Sequence, residues 1–204
     1  MSIMNSWLLS AALSVLLVFS ASAQEASVLN TESENTEPGE EKHLSRDERL
    51  NLLFADLAVA PEEAQSAIAD DVLGMLSDSG SPSANLLLAR GRKALEDQRA
   101  DEARAHLSAL TRLAPDFAEG WNASATHHYI QGNYARAIAD IQQALRVEPR
   151  HFGALAGLAI ILERTERPES ALATWREVAA IYPAFKGAKD AIERLSPDVE
   201  GRKI

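Results

Sequence analysis

Three prolines, Pro115, Pro149 and Pro183, stand 34 residues apart, and each closes an apolar segment with a similar tripeptide: Leu113-Ala114-Pro115, Val147-Glu148-Pro149 and Ile181-Tyr182-Pro183. A period of this length means that one supersecondary unit recurs and buries its apolar face against its neighbours. Small residues share the register at Gly91, Ala125 and Ala159, and again at Ala103, Ala137 and Ala171. Bulky apolar residues share it at Leu87, Trp121 and Leu155, and one turn beyond the alanines at Leu107, Ile141 and Trp175. Alanine recurs where two helices cross closely, because a larger side chain would push them apart.

This alternation of small and large positions, ending in a proline, resembles the tetratricopeptide repeat (TPR) over residues 84 to 185. The resemblance implies an all-α fold: an α-solenoid of about three helix-turn-helix repeats at 84–117, 118–151 and 152–185. Gly132 with Asn133, and Pro168, are expected to separate the two helices of the second and third repeats. After Pro183, Ala188, Ile192 and Leu195 turn inward while Lys186, Lys189, Asp190, Glu193 and Arg194 face water. Residues 186–204 therefore read as a capping helix of about 185 to 195 with a tail, which covers the last apolar face.

Upstream of the repeats, residues 45–79 read as a helical hairpin. Ser45 and Glu48 form a capping box, and Leu50, Leu53, Phe54 and Leu57 follow at helical spacing. Pro61 stops that helix and starts a second, whose buried stripe is Ile68, Val72, Met75 and Leu76. A step of 34 back from the first repeat reaches Leu53, Leu57, Ala69 and Leu73, so the hairpin is expected to stack on that repeat as a degenerate N-terminal cap.

Residues 1–23 carry no charged side chain, and an apolar run from Trp7 to Phe19 leads to Ala21-Ser22-Ala23. That pattern predicts a signal peptide cleaved before Gln24, hence an exported, periplasmic protein with no stable membrane insertion after cleavage. The run is shorter than the roughly 20 residues of a spanning helix. Residues 24–44 are rich in Glu, Ser, Thr and Asn and read as a disordered acidic spacer. The net charge of −10 is concentrated upstream: residues 24–83 hold 14 acidic side chains against three basic, whereas residues 84–204 hold 16 against 17. Such a balance argues against a nucleic-acid partner. With no cysteine, the chain has neither disulfides nor thiol chemistry.

Catalytic motifs are missing from the sequence, and the histidines at 43, 106, 127, 128 and 151 have no metal-binding spacing. The reading is a non-enzymatic protein without cofactor or metal. His128 is assigned to packing, as are Trp121 and Trp175. What the resemblance does imply is a peptide-binding groove along the first helix of each repeat. Its usual ligand-facing positions correspond to Asn85, Leu88, Arg92 and Glu96, to Glu119, Asn122, Thr126, Tyr129 and Ile130, and to Ala156, Ile160, Glu163 and Arg164. The two-lysine, two-asparagine set with which some TPR domains clamp a C-terminal carboxylate is missing, since Leu88, Ala123, Gly153 and Gly157 occupy most of the matching positions. An adaptor that holds a protein or peptide segment in the cell envelope is expected, with a self-associating structural subunit, a homo-oligomer, as the alternative.

Overall fold

The computed structural model describes residues 44 to 201; the expected signal peptide and nearly all of the acidic spacer lie outside them. Nine helices and no strand occur among the described residues: α1 (Arg46–Val59), α2 (Glu62–Leu76), α3 (Pro82–Glu96), α4 (Ala100–Leu113), α5 (Ala118–Ile130), α6 (Tyr134–Val147), α7 (Phe152–Arg164), α8 (Pro168–Ile181) and α9 (Lys186–Glu200). Helices α3 to α8 form three antiparallel pairs, one for each 34-residue period.

Each period repeats its backbone as well as its sequence. The residue before each proline, Ala114, Glu148 or Tyr182, is non-helical with φ near −132°, as a following pyrrolidine ring requires, and so ends its helix. Between the two helices of each pair, Gln98, Gly132 and Glu166 take positive φ of 57°, 72° and 57°. Only the middle one is glycine, so the first and third turns hold a side chain in the left-handed region. Ala103, Ala137 and Ala171 are fully buried. Gly91 shows why its position stays small: a Cβ there would lie 2.5 Å from Leu107 Cδ2.

Helix α1 begins as its capping box dictates. Ser45 Oγ accepts from Glu48 N at 3.2 Å, and Glu48 Oε2 accepts from Ser45 N at 2.8 Å. Pro61 is the N-cap of α2, so that helix begins at Glu62, one residue later than expected. Helix α9 runs past Leu195 and through Pro197 to Glu200, burying Val199 as well as Ala188, Ala191 and Leu195.

The hairpin α1–α2 caps the solenoid, but not by stacking on α3–α4. Leu50, Phe54, Leu57, Ala69, Val72 and Leu76 belong to the core of α7, α8 and α9, whereas α3, α4 and the start of α5 have a separate one. Its polar bonds show the route. Arg150 Nη1 donates to Asn51 Oδ1 at 2.8 Å, and the same guanidinium lies 4.2 Å from the centre of the Phe54 ring. Ala184 N donates to Gln65 Oε1 at 2.7 Å, and Lys189 Nζ pairs with Glu62 at 2.7 Å. The hairpin therefore crosses the turns that end in Pro149 and Pro183. Loose agreement with the 34-residue register was the reason to expect stacking; burial of the α1–α2 stripe decides otherwise.

Candidate functional site

Helices α5 and α7, with Phe185 ahead of α9, enclose a cavity of about 310 Å³. Its walls are apolar or small: Ala125, Tyr129, Ile141, Gly153, Ala156, Gly157, Ile160, Ile161 and Phe185. Asn122 and Thr126 supply the polar groups. A Cβ on Gly157 would meet only Ile141 Cδ1, at 3.7 Å, so the glycine leaves width rather than relieving a clash. Tyr129 stacks obliquely on Tyr134, with ring centres 5.8 Å apart, and the Arg164 guanidinium lies 5.4 Å from its ring centre. The Tyr129 π face held against that cation fixes one edge of the cavity.

Beneath it runs a buried polar relay that ties the three repeats together. Glu119 of α5 is 4% exposed and His151, the N-cap of α7, is 0% exposed; His151 Nε2 and Glu119 Oε2 are 2.8 Å apart. Ala154 N donates to His151 Nδ1 at 3.3 Å, which leaves the ring proton on Nε2, where it is donated to the carboxylate. Arg92 of α3 pairs with the same carboxylate, and its guanidinium also donates to Ser77 Oγ at 3.3 Å. Asn122 Nδ2 donates to both Glu119 oxygens, at 3.3 and 3.2 Å. Burial alone would push the Glu119 carboxyl up. The hydrogen bond donated by His151, with the charge and hydrogen bond of Arg92, outweighs it and holds the group below the usual carboxylate range.

The expected groove residues thus divide. Asn122, Thr126 and Tyr129 line the cavity together with Ala156 and Ile160, and Arg164 stands at its edge. Leu88 is instead 3% exposed, in the core of α3 and α4. Glu119 and Arg92 belong to the relay. Asn85 organises the turn before α3: its Oδ1 accepts from Ser79 N at 2.9 Å, and its Nδ2 donates to Asp78 Oδ1 at 2.7 Å. Glu163 accepts from Trp175 Nε1 and from Arg194, both at 2.7 Å, and so clamps α7 to α8 and α9. Glu96 and Ile130 are exposed and outside the cavity.

Sequence reasoning missed His151. The signal was present as two departures from the repeat: His151 stands where Phe117 and Phe185 cap the neighbouring helices, and Glu119 stands where Gly153 and Gly187 follow. His127 and His128 also pack inward, with ring centres 5.2 Å apart and neither Nδ1 partnered among the described residues. His128 Nε2 lies 3.7 Å from Asp140 Oδ2, which accepts from Ser124 Oγ at 2.6 Å. No group of three or more potential metal ligands converges among the described residues, and no helix there is long and apolar enough to cross a membrane.

Stacked helix pairs with a cavity between successive first helices define an α-solenoid repeat protein. The tetratricopeptide repeat family matches residues 88–142 and 122–184. A TPR repeat-containing protein of Rhizobium etli is 37% identical over 158 residues, spanning 76% of this chain and 77% of that protein. The chain belongs to the tetratricopeptide repeat family. Two solved structures share the fold. The first TPR of Spaghetti, bound to an HSP90 peptide, superposes with a TM-score of 0.56 at 18% identity, covering 59% of this chain and 95% of that one. The TPR2B domain of yeast Sti1, in complex with pHsp70, gives 0.52 at 20% identity, covering 60% and 99%.

Proposed function

We propose that this protein is a non-enzymatic scaffold of the bacterial cell envelope that holds a segment of another protein against α5 and α7. The observation that carries this reading is the apolar cavity of about 310 Å³ edged by Asn122, Thr126 and Tyr129, a size and lining suited to one or two apolar side chains of a bound segment. Asn122 and Thr126 reinforce it. The Asn122 amide group already donates to Glu119, and the Thr126 hydroxyl donates to Asn122 O at 3.0 Å. Both side chains therefore keep acceptor oxygens for the N–H groups of an extended chain. Membership in a family of interaction repeats supports the same reading, and the uncharged first 23 residues support export.

Site-specific photo-crosslinking tests it. A photoreactive residue at Thr126 or Ile160, both exposed, should give adducts with a partner protein in cells, while one at Arg136 or Glu177 on the second helices should not. Filling the cavity with Gly157→Leu should abolish the adducts. Equal labelling at all four positions, or labelling unaffected by Gly157→Leu, would overturn the groove. Adducts of twice the chain mass would identify the partner as a second copy.

A further inference from the structure

A second cavity, of about 450 Å³, lies apart from the groove, where α1 and the end of α2 overhang the turns into α5 and α7. Leu50, Leu76, Leu113 and Val147 form its apolar lining. Leu113 is informative. In the repeat register it corresponds to Val147 and Ile181, which are half-buried, yet it is 55% exposed. The hairpin reaches the second and third turns and leaves the first open beneath it.

Charge defines the rest of the cleft. Among the described residues, Asp47, Asp78 and Asp116 border it against a single cation, Arg46, which stands 4.0 Å from Asp47. That guanidinium is already engaged by the carbonyl oxygens of Met75 and Asp78, at 2.5 and 2.9 Å. Glu148 also reaches the cleft, but both its oxygens accept from Arg150 at 2.9 Å. Asp116 has no ion-pair partner among the described residues. A bare metal ion does not suit these carboxylates, which do not converge, and it would gain nothing from the leucines. A long side chain with an aliphatic stem and a cationic end matches both features, because the stem covers apolar surface while the head stays among carboxylates in water. The volume is within the roughly 300–1,000 Å³ of sites that bury a ligand.

We propose that the cleft beneath the α1–α2 hairpin is a second docking site of this protein, receiving a lysine- or arginine-bearing segment of a partner protein. It is independent of the groove on α5 and α7, and one partner could engage both only by presenting a basic and an apolar stretch.

Fluorescence anisotropy with the full protein decides it, using short labelled peptides of alternating Lys and Leu and matched peptides of Glu and Leu. The basic peptide should bind and the acidic one should not, and added salt should weaken the complex. The double variant Asp47→Asn, Asp116→Asn should weaken binding about three- to tenfold, the range for two solvent-accessible ion pairs. Glu177→Gln with Glu193→Gln makes the same change in net charge on exposed positions elsewhere and should leave the affinity unchanged. Equal loss in the two double variants would reduce the effect to overall charge and overturn the site. So would affinity unchanged by Asp47→Asn, Asp116→Asn, a free polyamine that binds as well as the peptide, or no binding at low salt. Loss on Ile160→Glu alone would move the peptide to the groove, which overturns the cleft and leaves the groove standing.

Discussion

Replacing Glu119 by Gln keeps the shape of the side chain and removes the charge on which the relay converges. Three donors reach this carboxylate, and they do not count equally. The His151 bond, 2.8 Å long between two buried groups, carries most of the effect, in the range of about 1.5–3 kcal/mol for a charge-assisted hydrogen bond. Arg92 contributes little, since its side chain is 43% exposed and water can replace its partner. The long Asn122 contacts survive in part, because a glutamine oxygen still accepts. Against these losses, a neutral amide is cheaper to bury than a carboxylate. The balance is a net loss of about 1.5–2 kcal/mol at pH 7. Its sign agrees with the lowered pKa of Glu119, which means that the fold favours the ionised form. Urea unfolding followed by circular dichroism should show the midpoint of the variant lower by about 1 M, given a slope of about 1–3 kcal/mol per molar. The pH dependence is more diagnostic. With a folded pKa below the unfolded value, stabilisation by the Glu119 charge is complete above about pH 4.3 and disappears as pH falls through the folded pKa. The gap between parent and variant should therefore close in acid. Equal midpoints at pH 7, or a gap of the same size at pH 3.5, would refute the relay as a structural charge.

Four further outcomes are expected. Gln98→Gly should raise stability by about 0.5–1 kcal/mol in the same melts, because position 98 holds φ of 57° and lacks the glycine of its equivalent, Gly132. Gly91→Ala should cost about 1–2 kcal/mol through overpacking against Leu107, whereas Gly157→Ala should be neutral or stabilising. Burial, followed by the charges of His128 and Arg104, lowers the pKa of His127, with Asp101 and Asp140 opposing. Its stabilisation is thus present above the unfolded pKa of about 6.5 and lost as pH falls towards the folded value, so His127→Leu should flatten the fall in melting temperature between pH 7 and 5. Intact-mass measurement of the exported protein should give a chain beginning at Gln24; retention of Met1 to Ala23 would remove the signal-peptide reading.

The parts of the fold visible in the sequence are those that recur. Three copies of the proline, the crossing alanine and the bulky residue one turn later fix the helix pairs and their turns, because each copy corroborates the others. The seat of the hairpin had no such support. Asn51, Gln65 and Glu62 reach partners 99, 119 and 127 residues away through single side-chain bonds, and no periodicity announces a contact made once. The groove was half legible for a related reason. Register tells which way Thr126 and Tyr129 leave the helix, and both do line the cavity. It gives the same answer for Leu88 and Glu119, which neighbouring α4 and His151 enclose. His151 was readable only as an exception, a polar residue in an aromatic column facing an acid in a glycine column.

Repeat arrays ordinarily grow or shrink by whole units, since each unit touches only the next. Here α1–α2 spans the array like a fixed gauge. Its far contacts at Ala184 and Lys189 and its middle contact at Arg150 are spaced by one repeat, while its own end enters α3 directly through residues 77–81. Inserting another 34 residues between α4 and α7 would carry both sets of partners out of reach of Asn51, Gln65 and Glu62. Deleting a repeat would bring the wrong turns beneath them. The number of repeats is thereby written into the length of the hairpin, and a chain of this design can change its array only by changing its first two helices at the same time.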